Sequence, residues 1–361
     1  MEPRNLENKI YNSKKGYTGF SMLFSNGMSS LAAMYNYIYK MQGIDTIPRG
    51  INCCEYFETS SLSLMNRVNN NIKFSESLKD IDVSADDFFI IEPIKADFKI
   101  TLVDLEHFIN KIVMDQSNKL KIIIVDSSLL GESFNTDKIL KKLHHKENVI
   151  FVNLRSGLKL DQQGLELCNC GIVDFYINSK HQKISDYSKE YLTKVRNVNG
   201  STISYNTLCL LDNNIFLIDD SYSNKIINNN YEFYKYLSDI KLKSDCFIEK
   251  IYYPYNQKVD NSCSPYINIK LSNNIESEYI YLVNNLKKIF KSYHLDFISR
   301  NSFGFRNITF EYFKIVQTNE MIGRLAIGHF KGVKYHIYLY LIEYLLKVDT
   351  KKGVSSNDFT K

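Results

Sequence analysis

Lys121-Ile122-Ile123-Ile124-Val125-Asp126 and Val149-Ile150-Phe151-Val152-Asn153-Leu154-Arg155-Ser156-Gly157-Leu158-Lys159 decide the fold of this chain. Ile122–Val125 and Val149–Val152 within them are continuous apolar runs without polar alternation. That is the pattern of a strand buried on both faces, as in a parallel sheet covered by helices. The first run closes at a carboxylate, Asp126, and the second leads through a short turn, Asn153-Leu154-Arg155-Ser156-Gly157-Leu158, to an amine, Lys159. Open α/β sheets bind their ligands at the carboxyl ends of the strands, so the two stretches predict a site as well as a sheet.

Working outward, the apolar run Tyr17–Phe24 passes into Ser25-Asn26-Gly27-Met28-Ser29-Ser30. Leu31, Met34, Tyr35 and Ile38 then recur at three- and four-residue steps, which predicts a helix starting near Gly27. The free N–H groups of such a helix start suit an anion, with Ser25, Ser29 and Ser30 adding hydroxyls; an ordinary helix cap also reads this way. Further strands are expected at Phe88–Ile91, ending in Glu92-Pro93, and at Ile172–Tyr176. Helices are expected around Leu102 to Ile112 and Thr136 to Leu143. Alternating strand and helix predict an α/β fold whose mostly parallel sheet is covered by helices. Composition shifts near Asp212-Asn213-Asn214 and again at Ile226 to Asn230. A large α/β domain over residues 1–215 and a smaller C-terminal α+β domain over 216–361 follow. The smaller one has strands near Phe247–Tyr253 and Tyr266–Leu271 and helices near Glu278–Ser292 and Tyr335–Leu346. Residues before Tyr17 read as a polar arm, and the tail from Asp349 as polar and frayed.

With 361 residues and 44% hydrophobic content, the chain is long enough for two cores. Its formal charge of +5 comes from 45 basic and 40 acidic residues spread along the chain, so no nucleic-acid partner is expected. Seven cysteines in irregular positions, including Cys53-Cys54 and Cys168-Asn169-Cys170, fit neither zinc spacing nor a disulfide framework. They read as free thiols, with no metal site. No apolar stretch reaches membrane-spanning length and the first residues lack a secretory core, so a soluble, cytoplasmic protein is expected.

Taken singly, Asp126 fits a turn aspartate and Lys159 a surface lysine. In conjunction with the turn at Gly27 they match the needs of pyridoxal phosphate. Its aldehyde condenses with a lysine amine, and its ring nitrogen needs a carboxylate to stay protonated. At these residues the chain resembles the cystathionine γ-synthase/γ-lyase group of the Cys/Met-metabolism family, enzymes of fold type I that depend on pyridoxal phosphate. The resemblance runs from about Phe24 to Leu345. Ser25-Asn26-Gly27-Met28-Ser29-Ser30-Leu31 is similar to the family's Ser-Ser-Gly-Met-Ala-Ala-Ile, in which the Gly-Met backbone holds the phosphate. Val125-Asp126-Ser127-Ser128 is similar to Val-Asp-Asn-Thr, whose aspartate bonds the pyridine nitrogen. Ser156-Gly157-Leu158-Lys159 is similar to Ser-Ala-Thr-Lys, with the Schiff-base lysine last. Ile91-Glu92-Pro93, Arg196 to Ser204, Tyr252-Tyr253-Pro254 and Asn301-Ser302-Phe303-Gly304-Phe305 follow in the family's order. Gly323-Arg324-Leu325-Ala326-Ile327-Gly328 resembles Leu-Arg-Leu-Ser-Ile-Gly, whose arginine grips the substrate carboxylate.

The resemblance thus implies Lys159 as the catalytic residue, with Ser25, Gly27, Met28, Tyr56, Asp126, Ser128 and Ser156 around the cofactor. Tyr56 would stack on the ring, and Ser302 and Arg324 would hold an amino-acid substrate. It implies β- or γ-elimination or replacement after deprotonation at Cα, and a homodimer. Transamination and a non-catalytic binding or scaffolding role are the alternatives. The chain departs from the family in lacking the Tyr-x-Arg arm before Gly27 and the asparagine after Glu92-Pro93. Leu158 replaces a phosphate-binding threonine, Leu160 to Gly164 replace Tyr-x-x-Gly-His, and the interval from Asp126 to Lys159 is longer. These departures bear on the reaction and on the tetramer that the arm supports.

Overall fold

The computed structural model describes residues 3–42, 48–54, 72–75, 77–95, 97–213, 221–240, 247–254, 264–299, 305–314 and 319–347. The chain divides into two units. The first comprises Met1–Ala96, Leu102–Gln162 and Glu166–Asp220, and the second Asp97–Thr101, Gln163–Leu165 and Ser221–Lys361. The boundary expected at residues 215 and 216 lies outside the described residues, as does the tail from Asp349.

In the first unit the described elements are α1 (Pro3–Ile10), β1 (Tyr17–Phe24), α2 (Gly27–Gln42), β2 (Gly50–Cys53), β3 (Ile72–Phe74) and β4 (Phe88–Ile91). There follow α3 (Leu105–Met114), β5 (Lys121–Asp126), α4 (Thr136–Leu143), β6 (Val149–Ser156), β7 (Gly171–Asn178), α5 (Gln182–Val198) and α6 (Tyr205–Leu211). Local chemistry starts the helices: Asp104 accepts the His107 N–H ahead of α3, and Asn135 accepts the Lys138 N–H ahead of α4. The seven strands form one sheet in the order β1-β7-β6-β5-β4-β2-β3. The sheet is parallel except at β7, which runs antiparallel to both β6 and β1. The link from β6 to β7 contains a single-turn 3-10 helix at Leu160–Gln162 and no crossover helix, so the chain returns beside β6 in the opposite direction.

Period-two alternation sorts each strand's side chains onto two covered faces. Ile122, Ile124, Ile150, Val152 and Leu154 pack with Leu31, Met34 and Ile38 of α2 and Leu192 of α5. Ile123, Val125, Val149 and Phe151 pack with Phe108 and Ile112 of α3 and Leu140 of α4. All four residues from Ile122 to Val125 have no exposed surface, and each such side chain contributes ~1.5–3 kcal/mol. The expected α/β architecture is the observed one. The residues before Tyr17 differ from expectation, because Pro3–Ile10 forms a helix instead of a polar arm. Leu6 is buried with Leu23 and Ile172, while Glu7 accepts the Leu23 N–H and pairs with Arg196.

The second unit holds α7 (Ser221–Ser238), β8 (Ile248–Tyr252), β9 (Ile267–Leu271), α8 (Glu276–Ser292), β10 (Thr309–Lys314), β11 (Met321–Ala326) and α9 (Gly332–Lys347). Its sheet has the order β10-β11-β9-β8 and is antiparallel throughout. Phe233, Tyr279, Leu286 and Tyr338 from its helices form one core with Ile248, Ile269, Phe310 and Leu325 from the strands. Asn268 Nδ2 donates to the carbonyls of Asp97 and Phe98 at 3.2 and 3.1 Å, which fastens the short 97–101 segment to this unit. No helix of the described residues is long and apolar enough to cross a membrane.

Candidate active site

The register brings the carboxyl ends of the central strands into one row. Cys53 pairs with Ile91, Ile91 with Val125, and Asp126 with Leu154. One step on, Cys54, Glu92 and Asp126 therefore end three neighbouring strands, and alternation turns them toward the face that α2 covers. All three are buried. Asp126 Oδ1 accepts the Ser128 N–H at 2.9 Å. Ser128 Oγ in turn accepts the Ser156 N–H at 2.7 Å, tying the turn after β5 to the end of β6.

The start of α2 lies against that same point. Asn26 and Ser29 cap it reciprocally, with Asn26 Oδ1 accepting the Ser29 N–H at 2.7 Å and Ser29 Oγ the Asn26 N–H at 3.1 Å. The N–H groups of Gly27 and Met28 belong to the first turn, where no helix carbonyl precedes them. A Cβ on Gly27 would stand 3.3 Å from Ser156 Cβ, so the helix start and the end of β6 touch. Ser25 Oγ lies 3.1 Å from Ser29 Oγ, and its N–H donates to the Ser201 carbonyl. Gly171 makes the close approach possible: a Cβ there would fall 2.3 Å from the Asn26 carbonyl oxygen.

Lys159, half-buried, follows β6 by three residues in a turn held from both sides. Gly157 N–H donates to the Cys170 carbonyl at 2.8 Å. The buried Gln162 amide donates to the carbonyls of Gly157 and Cys168 at 2.8 and 2.7 Å, and its oxygen accepts the Cys168 N–H. Leu160 packs over Gly131, whose positive φ of 57° admits the turn beneath it.

The structure thus assembles Ser25, Gly27, Met28, Asp126, Ser128, Ser156 and the Lys159 turn at one end of the first unit's sheet. Tyr56 and Ser302 lie outside the described residues. Arg324 belongs to the second unit. It is buried on β11, 3.5 Å from Glu311 and with its guanidinium 4.4 Å from the rings of both Tyr266 and Phe313. Sequence reading passed over Lys95, a lysine only 1% exposed just beyond β4. Burial first, then Glu92, Asp126 and Cys53, push the Cys54 thiol well above its ordinary range, with Lys95 opposing them. That thiol is neutral and no nucleophile. A lysine beside a proline-containing turn carries no sequence signal of burial. Among the described residues, no three His, Cys, Asp or Glu side chains gather as metal ligands.

No family model matches this sequence, and no curated protein matches it either. Solved structures do. Cystathionine gamma synthase from Xanthomonas oryzae pv. oryzae, solved with cystathionine, superposes with a TM-score of 0.66 at 14% identity, covering 95% of this chain and 85% of that one. Cystathionine gamma-lyase from Lactobacillus plantarum, solved with L-serine, gives 0.62 at 14% identity over 91% and 82%. The sphingosine-1-phosphate lyase of Burkholderia pseudomallei gives 0.51 at 9% identity over 94% and 74%. The chain has the fold of these enzymes, fold type I. Its donor set suits pyridoxal phosphate: a helix start and hydroxyls for the phosphate, a carboxylate for the ring nitrogen and an amine for the aldehyde.

Proposed function

We propose that this chain is a pyridoxal-phosphate-dependent enzyme acting on an amino acid, by elimination or replacement at the β or γ carbon. One observation carries the reading. Asp126, the Lys159 turn and the start of α2 meet at the carboxyl ends of adjacent central strands, with Asp126 on the face that α2 covers. Bound there, the cofactor would supply an electron sink for the charge released at Cα. Gly27 and Met28 N–H groups, with the Ser25 and Ser156 hydroxyls, hold the phosphate. Ser128 fixes the end of β6 and with it the height of that anion site. Asp126 would accept the ring N–H in a charge-assisted hydrogen bond, the opposite charge keeping the proton on the ring. The Lys159 amine would be the group that holds the cofactor covalently and the base available for the Cα proton.

Arg324 is the proposed holder of the substrate carboxylate, since a guanidinium offers a planar two-pronged fit. Elimination or replacement is the leading reaction in this proposal, supported by the likeness to the two cystathionine enzymes, and transamination is its alternative. A homodimer in the cytoplasm belongs to the same proposal. The test is spectroscopic. Purified protein mixed with pyridoxal phosphate should develop a visible absorbance band that shifts on adding its amino acid and is absent in Lys159→Ala. A band unchanged in Lys159→Ala overturns the role of Lys159, and a colourless wild type overturns the cofactor reading and leaves a binding protein on an enzyme's fold.

A further inference from the structure

Arg155 precedes Ser156 on β6, and alternation turns it to the sheet face opposite Asp126. Its side chain is 2% exposed, yet three carboxylates from three separate segments meet it. Nε donates to Asp161 at 2.8 Å, Nη1 donates to Asp174 at 2.7 Å, and Nη2 donates to Glu132. Asp174 also accepts the Ser21 hydroxyl at 2.5 Å. Burial pulls the guanidinium's pKa down, but Asp161, Glu132 and Asp174 outweigh it and hold Arg155 well above the arginine range. Stability alone does not ask for such a cluster, because packed apolar residues in place of a buried ion network are often as stable.

What the cluster fixes is the Lys159 turn. Arg155 stands four residues before Lys159 and Asp161 two residues after it, so their bond closes the turn across its base. Gln162 closes the same turn from the other side through Gly157 and Cys168. We propose that Arg155 is a positioning residue: by stapling Asp161 to the end of β6 it holds the Lys159 amine ready to react with an aldehyde. This rests on the cofactor reading above. In the step concerned, Nζ forms a bond to the aldehyde carbon, and the aldehyde oxygen leaves as water carrying the two amine protons.

The experiment separates pocket from turn. Full-length wild type, Asp161→Ala, Asp161→Asn and Arg155→Lys are compared in two measurements. The first is the rate at which pyridoxal phosphate becomes trappable on Lys159 by borohydride. The second is affinity for pyridoxine phosphate, which has the same ring and phosphate but an alcohol where the aldehyde would be. Asp161→Ala should slow trapping about tenfold or more, the scale of a small misplacement of a reacting group. Arg155→Lys should do the same, since one ammonium cannot serve three diverging carboxylates. Asp161→Asn should stay near wild type, because its amide oxygen still accepts from Nε. Pyridoxine phosphate affinity should be unchanged in all three. Wild-type trapping rates in Asp161→Ala and Arg155→Lys overturn the inference, as does a parallel loss of trapping and pyridoxine phosphate affinity. If wild type itself binds neither compound, the cofactor reading fails and takes this inference with it.

Discussion

In the proposed chemistry Asp126 and Lys159 have the central roles, and both were legible because Asp126 closes an apolar run and Lys159 follows another after a short turn. Asp126→Asn keeps the shape of the turn but removes the charge. A hydrogen bond to a charged group is worth ~1.5–3 kcal/mol, so affinity for pyridoxal phosphate should fall about ten- to hundredfold. Fluorescence titration reads this, and undiminished affinity would remove Asp126 from the site. Arg155 was not legible in the same way. A charged residue near a strand's end reads as the chain leaving the core, and its partners Glu132, Asp161 and Asp174 meet only in the folded sheet. Lys95 failed for the same reason: nothing in Ile94-Lys95-Ala96 marks the amine as buried.

At the scale of elements, α2 and β7 meet through a glycine. Gly171→Ala would push a methyl group into the Asn26 carbonyl, 2.3 Å away, and backbone cannot yield as a flexible side chain does. Overpacking of this kind costs ~1–3 kcal/mol, so Tm should drop by several degrees and phosphate affinity should fall with it. A variant as stable as wild type would show that the contact is relaxed at no cost. Helices α3 and α4 are joined by Glu106, which Lys142 and Lys138 meet at 2.6 and 2.9 Å. Hydrogen bonds from Lys142 and Lys138 lower its pKa to about 2 from an ordinary 4.5. The folded value lies below the unfolded one, so the pair stabilises fully above about pH 4.5 and loses its effect as pH falls toward 2. Its exposure limits the effect to under ~1 kcal/mol. Urea melts of Glu106→Gln should therefore differ slightly from wild type near neutral pH and converge in acid; a gap that widens in acid would reverse the assignment. Helices such as α2 were legible from periodicity alone. The reversal of β7 was not, because an apolar run reports burial and not direction, and α1 has only Leu6 and Ile10 as apolar anchors.

For the molecule as a whole, alternating strand and helix announced the α/β sheet covered by helices. The small segments Asp97–Thr101 and Gln163–Leu165, which join the second unit, had no signature in composition. They are too short for any pattern to develop. If the site lies where the first unit's strands end, ligand binding must register there. At a hundredfold excess over its dissociation constant, pyridoxal phosphate should add ~2.7 kcal/mol of stability. Hydrogen exchange should slow at residues 25–30, 126–128 and 156–162, with α8 unchanged. Protection confined to the second unit would place the ligand elsewhere.

Reductive trapping tests the central claim most directly. The protein is mixed with pyridoxal phosphate, reduced with borohydride, digested and mapped by peptide mass. The expected result is a single pyridoxyl group, on Lys159, that disappears in Lys159→Ala. Adducts scattered over surface lysines, or a single adduct that survives in Lys159→Ala, would contradict it.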